Sequence, residues 1–280
     1  MQINLSGKRA IITGSTAGIG FAIAQGLANA GADVVVTGRT QERVDKAIAT
    51  IKQEAPNVNV EGVAVDLGTA EGCQTLIEQQ PNADILINNV GIFWSSRLFE
   101  VDDATWQQFF DINIMSAVRL SRHYAQGMRE RDWGRIQFIS SESGINIPTE
   151  MVHYGMTKSA LLSVSRGLAK ALSGTQVTVN AILPGPTRSE GVLSMIGEMA
   201  EKEGISQQEM EARFVKENRP SSIIQRLATP EEVASMSVYA ASPPSQRDNG
   251  RGIACRRRYC RYPNLSALLL VSYQSGYGRR

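Results

Sequence analysis

The sequence predicts a single doubly wound α/β domain built on a parallel sheet, and three observations predict it. Six short β-branched runs alternate with longer helical stretches. Each run is nearly continuously apolar, as in strands covered on both faces, and a glycine-rich turn follows the first. A chain of 280 residues can bury one large core, and no break in composition divides it. We therefore expect one domain over residues 1–245, with a helical flap at about 186–228, and an atypical basic tail over 246–280.

The elements follow in order. "RAIITG" reads as the first strand, and "GFAIAQGLANAGA", with apolar residues three and four apart, as the helix after it. "DVVVTG", "VEGVAVD" and "DILINN" read as the next three strands. "ATWQQFFDINIMSAVRLSRHYAQGM" reads as one long amphipathic helix leading into the strand "GRIQFIS". "HYGMTKSALLSVSRGLAKAL" is a helix and "VTVNAIL" the sixth strand. Beyond Pro184 a polar, Met-rich stretch is too long for a plain connection, hence the flap. Regular structure resumes at "TPEEVASMSVYAAS", where Thr229 suits an N-cap, Pro230 the first turn, and Glu231 and Glu232 the positive end of the helix dipole.

The net charge of +2 is unevenly spread: residues 247–280 carry +7, which leaves −5 on residues 1–246. Cys73 is the one cysteine of the body, with Cys255 and Cys260 in the tail. Neither a disulfide framework nor zinc-ligand spacing is present, so no metal is expected. The N-terminus lacks a secretory pattern, and "LSALLLV" is too short to span a bilayer. We expect a cytoplasmic protein with no membrane partner.

The turn "TGSTAGIG" carries Gly14, Ser15, Thr16, Gly18, Ile19 and Gly20. Its glycines let the backbone turn sharply and approach a ligand, and the N–H groups of the following helix attract a pyrophosphate. The spacing is G-x-x-x-G-x-G, not the commoner G-x-G-x-x-G, and such a turn also serves packing alone. At the end of the second strand, where NAD-binding sheets carry an acid for the ribose hydroxyl, "VVVTGRT" has Gly38 and Arg39. A guanidinium there binds a 2′-phosphate that an acid would repel. NADP(H) is therefore the preferred cofactor and NAD(H) the alternative, although Ala17 supplies no second basic group.

Tyr154 and Lys158 stand four residues apart, on one helix face. An ammonium beside a phenol draws its pKa from about 10 toward neutrality, as proton exchange with a ketone or alcohol requires. Ser140 and Ser141 end the fifth strand, where open α/β sheets bind ligands. Asn113 sits in an apolar helical stretch and needs a partner. His123 and His153 receive no role, and Trp94, Trp106 and Trp133 read as packing.

Together these residues resemble the short-chain dehydrogenase/reductase family, a Rossmann-fold family, over about residues 5–245. The matching motifs are "TGSTAGIG", "NNVG" (88–91), Asn113, Ser141, "YGMTK" and "PGPTRS", in family order. The resemblance implies that Tyr154 is the acid/base. It implies that Lys158 holds the nicotinamide ribose and tunes Tyr154, that Ser141 orients the carbonyl, and that Asn113 positions a water. It also implies that Asp66, Leu67, Asn89, Gly91, Pro184, Gly185, Thr187 and Ser189 border the cofactor, and that the chain assembles as a homotetramer or homodimer. The expected activity is interconversion of a ketone and a secondary alcohol, with 3-oxoacyl thioesters and sugars or polyols as candidate substrates for a cleft under the flap. Two other classes compete: a cofactor-binding regulator with little turnover, and a nucleic-acid binder using the arginine tail, which lacks the aromatic interleaving of such binders.

Members of the family close the sheet with a last strand near a V-D-G-G motif, which is missing here. Read one nucleotide late with permitted codons, residues 246–262 become "SATTGAALRVDGGIVDI". We therefore read the tail as frame-shifted from about Pro243 or Pro244. Gene sequence through this region decides it, since incompatible codons would exclude the shifted reading.

Overall fold

The computed structural model describes residues 2–220 and 222–254. Its elements alternate as the sequence does: β1 (Arg9–Ile12), α1 (Gly18–Asn29), β2 (Asp33–Gly38), α2 (Gln41–Glu54), β3 (Val60–Ala64), α3 (Ala70–Gln79) and β4 (Ile85–Asn88). There follow α4 (Asp103–Phe110), α5 (Ser116–Glu130), β5 (Gly134–Ile139), α6 (Val152–Ala171) and β6 (Val177–Leu183). The chain continues through α7 (Glu190–Glu203), α8 (Gln207–Asn218), α9 (Pro230–Ala241) and β7 (Gly252–Ala254). Among the described residues the strands form one parallel sheet of order β3-β2-β1-β4-β5-β6-β7. The order reverses direction between β1 and β4, which opens a crevice at their carboxyl ends.

The two-residue period of the strands sends alternate side chains to opposite layers. Ile12, Val34, Val36, Ile85 and Ile87 pack under α1 and α9 with Ile23, Leu27 and Val233. Ile11, Val35, Leu86, Ile136 and Phe138 pack under α3, α5 and α6 with Leu76, Leu120 and Leu161. Each fully buried Ile or Leu contributes about 1.5–3 kcal/mol. This double cover explains why the strands read as unbroken apolar runs. A smaller cluster of Ile196, Ala200, Met210, Val215 and Leu227 joins α7 to α8. The capping box of α9 forms as its sequence proposes: Glu232 N–H donates to Thr229 Oγ1, and Thr229 N–H donates to the Glu232 carboxylate.

Two expectations need correction. The stretch at 104–128 is not one regular helix, because a π-helical turn at Asp111–Met115 separates α4 from α5. Such turns insert one extra residue and re-aim a side chain, here that of Asn113. Nor is the closing strand missing: Gly252–Ala254, inside the basic tail, pairs with β6 through Ala181↔Gly252, Ile182↔Ile253 and Leu183↔Ala254. The open edge of β6 needs backbone partners, and the tail supplies them. Asn180 steers it by accepting from Arg251 N–H and donating to the Asp248 carbonyl. Cys255, Cys260 and the rest of the frame-shifted reading lie outside the described residues. Among those described, no helix is long and apolar enough to cross a membrane.

Candidate active site

The carboxyl ends of the central strands border a cleft of about 320 Å³. It is lined by Gly18, Ile19, Gly20, Asn89, Gly91, Ser141, Tyr154, Lys158, Pro184, Gly185, Thr187 and Ser189. Residues as far apart as 18 and 189 converge because β1, β4, β5 and β6 are neighbours in the sheet.

The glycine turn is a cradle in which side chains are excluded. Gly14 and Gly18 have φ of 61° and 56°, the left-handed region that favours glycine. A Cβ on Gly20 would lie 2.4 Å from both the Asn89 amide nitrogen and the Gly14 carbonyl oxygen. Asn89 holds the turn by donating from Nδ2 to the carbonyls of Thr13 and Gly14, each at 2.9 Å. Thr13 Oγ1 in turn accepts from Asn89 N–H and Val90 N–H. The start of α1 has no side-chain cap, so its first N–H groups remain for an anion. The close glycine backbone and uncapped helix start fit the pyrophosphate of a dinucleotide. We expect Gly20→Ala to destabilise the fold by about 1–3 kcal/mol and weaken NADPH binding with it, because backbone must move. Thermal denaturation and fluorescence titration check this, and an unchanged melting temperature would refute it.

Not every expected cofactor residue borders this cleft. Ser15 is fully buried and committed to the fold: its hydroxyl donates to the Ile12 carbonyl and accepts from Thr37 N–H, and its own N–H donates to the Thr37 carbonyl. Leu67 is buried in the core. Thr16 abuts Gly38, where a Cβ would come 2.4 Å from its methyl, and so brings the glycine turn against the residue preceding Arg39. Arg39 and Asp66 are exposed; the Asp66 carboxylate accepts from Gly68 N–H. Arg43, which the sequence reading missed, pairs with Glu190 at the start of α7, 2.8 Å away.

Most of the candidate acid-base residues are fixed by hydrogen bonds. Tyr154 is half-buried, its ring centroid 6.2 Å from that of Phe93. Lys158 is 5% exposed; its Nζ donates to the Ile139 carbonyl at 2.9 Å and lies 5.5 Å from the Tyr154 ring centroid. Ser140 donates to the Lys158 carbonyl at 2.7 Å and so ties the end of β5 to α6. Ser141 Oγ accepts from Ser143 N–H. Asn113 is buried and finds the partners its position demanded. It brackets Ile92, accepting from the N–H and donating to the carbonyl, and also donates to Thr157 Oγ1. Thr157 in turn donates to the Tyr154 carbonyl at 2.7 Å, linking the π-turn to α6. Thr187 donates to the Gly185 carbonyl, and Ser189 caps α7.

The electrostatics differ from the simple ammonium-phenol expectation. Burial pushes the Tyr154 phenol up to about 12; the Ser141 hydroxyl opposes this and the Glu142 carboxylate reinforces it. Burial pushes Lys158 down to about 8. For both groups removal from water is the largest cause, and it disfavours the phenolate and the ammonium alike.

Further cleft residues carried no local signal in the sequence: Phe93, Met151, Val192, Met195 and Phe214 make an apolar wall, and Glu142 and Arg219 a charged corner. His153 lies behind the site, donating from Nε2 to the Trp94 carbonyl and packed edge-on against Phe109, 4.5 Å between ring centroids. Among the described residues no cluster of His, Cys, Asp or Glu could hold a metal ion.

Comparison with known proteins agrees with this architecture. A family model described as short chain dehydrogenase matches residues 8–198. The chain is 47% identical over 253 residues to uncharacterized oxidoreductase YvaG of Bacillus subtilis (strain 168), covering 90% of this chain and 96% of that protein. It is 32% identical over 246 residues to the 3-oxoacyl-acyl-carrier-protein reductase FabG of Aquifex aeolicus (strain VF5), covering 86% and 93%. The crystal structure of L-sorbose reductase from Gluconobacter frateurii, complexed with NADPH and L-sorbose, superposes with a TM-score of 0.85 at 32% identity, covering 91% and 97%. With the family model running from the start of β1 into α7, and relatives aligned along nearly their full lengths, the chain belongs to the short-chain dehydrogenase/reductase family of NAD(P)-dependent oxidoreductases.

Proposed function

We propose that the protein interconverts a ketone and a secondary alcohol with NADP(H) in preference to NAD(H). The observation that carries this reading is the convergence of Ser141, Tyr154 and Lys158 with the glycine cradle on one cleft. When bound, the nicotinamide supplies or accepts the hydride. Gly18, Ile19, Gly20, Asn89, Gly91, Pro184, Gly185, Thr187 and Ser189 would hold the dinucleotide, with Asp66 beside the adenine end and Arg39 beside the ribose 2′-phosphate.

Tyr154, held at about 12, carries its proton at neutral pH and so can give it to a carbonyl oxygen. Ser141 donates to the same oxygen and fixes its direction. As the proton leaves, the Lys158 ammonium stabilises the tyrosinate, a charge that exists only during the reaction. Asn113 and Lys158 both come within 3.4 Å of the point that a Cβ on Gly91 would occupy, which suits a water relaying protons from solvent to Lys158. In oxidation the same groups run in reverse, with Tyr154 as base.

The pair α7 and α8 would act as the substrate flap, and 3-oxoacyl thioesters and sugars or polyols are the candidate substrates. We further infer a cytoplasmic protein that assembles as a homotetramer or homodimer. A ketone and alcohol panel assayed in parallel with NADPH and NADH tests the activity and the cofactor. In the same assay, Arg39→Glu should lower the NADPH-to-NADH ratio of kcat/KM about 10- to 100-fold, the loss of a charged hydrogen bond. A wild-type preference for NADH would overturn the role of Arg39.

A further inference from the structure

Two opposite charges sit in the cleft that the acid-base chemistry does not use. Glu142 directly follows Ser141, in the 3₁₀ turn Glu142–Gly144, and Arg219 follows the last residue of α8. Arg219 Nε donates to the Glu142 carboxylate, and the two side chains are only 11% and 9% exposed. Both line the same cleft as Tyr154. The pair is fixed from both sides: Glu142 N–H donates to the Pro184 carbonyl at 2.9 Å, and Arg219 Nη1 to the Asn218 carbonyl at 2.7 Å. Arg219 Nη2 has no partner among the described residues.

We propose that the Glu142–Arg219 pair is a specificity determinant that selects neutral, hydroxyl-bearing ketones and their polyols. This rests on the oxidoreductase reading above and narrows its substrate class. A carboxylate accepts from substrate hydroxyls and a guanidinium donates to them, so the corner offers complementary partners to a hydroxylated chain. An unsubstituted acyl chain would desolvate the same corner with nothing in return. An anionic substrate would have to draw Arg219 away and leave Glu142 buried beside a second negative charge. Discrimination of this kind is large because a polar site facing an apolar substrate leaves its groups unpaired.

The test uses three ketones of matched length, assayed with NADPH on the full chain: a hydroxylated ketone, an alkyl ketone and a 3-oxo carboxylate. The wild type should turn over the hydroxylated ketone with the highest kcat/KM. Glu142→Gln and Arg219→Lys should each lower the ratio of hydroxylated-ketone to alkyl-ketone kcat/KM about 10- to 100-fold. The ratio is the readout because any effect of Glu142 on Tyr154 acidity acts on all three ketones alike. NADPH binding by fluorescence verifies that each variant is folded. Wild-type preference for the alkyl ketone or the carboxylate, or unchanged ratios in both variants, overturns the inference alone. No turnover of any ketone overturns the oxidoreductase reading, and the inference with it.

Discussion

Tyr154→Phe should lower kcat by about 10²–10⁴-fold while NADPH binding and folding persist. The substitution removes one hydroxyl and retains the ring that packs 6.2 Å from Phe93. The backbone bond from Thr157 to the Tyr154 carbonyl, which sets the first turn of α6, is also untouched. What disappears is the proposed proton donor. In the proposed mechanism Ser141 would still polarise the carbonyl, so some rate remains, while Lys158 is engaged by the Ile139 carbonyl. Steady-state kinetics with NADPH titration in parallel separates the outcomes. Retention of most of kcat would remove Tyr154 from the chemistry, and equal loss of activity and NADPH affinity would make its role structural.

Lys158→Met should cost at least 10²-fold in kcat/KM and yet raise the melting temperature at neutral pH. Lys158 is an ammonium buried to 5% exposure and bonded to the Ile139 carbonyl. Its pKa falls from 10.5 to about 8 because burial disfavours the charge. The sign follows from proton counting. Between those two values the unfolded chain binds the proton and the folded one does not, so stability rises with pH across that window. Below about pH 8 the penalty is fully present, on the order of 1–3 kcal/mol, and a methionine of similar length escapes it. The melting temperature of Lys158→Met should therefore exceed that of the wild type by roughly 2–4 °C at pH 7. The difference should shrink as pH rises from 8 toward 10.5. A variant less stable at pH 7 would show that the bond to the Ile139 carbonyl outweighs the burial cost. Such exchange of stability for function is common at active sites, where the strained group is the useful one.

Most of the scaffold was legible because its signals are local. Strand runs such as "VTVNAIL" are unbroken only where both faces are covered, and β6 is buried along its whole length. The Thr229 cap and the four-residue spacing of Tyr154 and Lys158 are statements about one helix turn. The π-turn was not legible, because its formation depends on Asn113 reaching the backbone of Ile92 and the hydroxyl of Thr157, 44 residues away. Arg135 was equally opaque. It is a charged residue in a strand, yet it is 1% exposed, held by the carbonyls of Gly134 and Gln176, by Gln246 Oε1, and by the Trp133 ring at 4.5 Å.

The sequence by itself determined the alternation of strand and helix, the glycine turn and the residue types of the acid-base set, since each depends on spacing within a few residues. Only the tertiary structure decided which of them meet. Strand order brings the turn after β1 to the same cleft as Ser141 after β5, with β4 between them, and the edge of β6 recruits Gly252–Ala254 from the atypical basic tail. It also joined Glu142 to Arg219 across 77 residues and reversed the expected shift of Tyr154. Burial and pairing are properties of the surroundings, and surroundings are assembled from distant chain segments, so no local pattern encodes them.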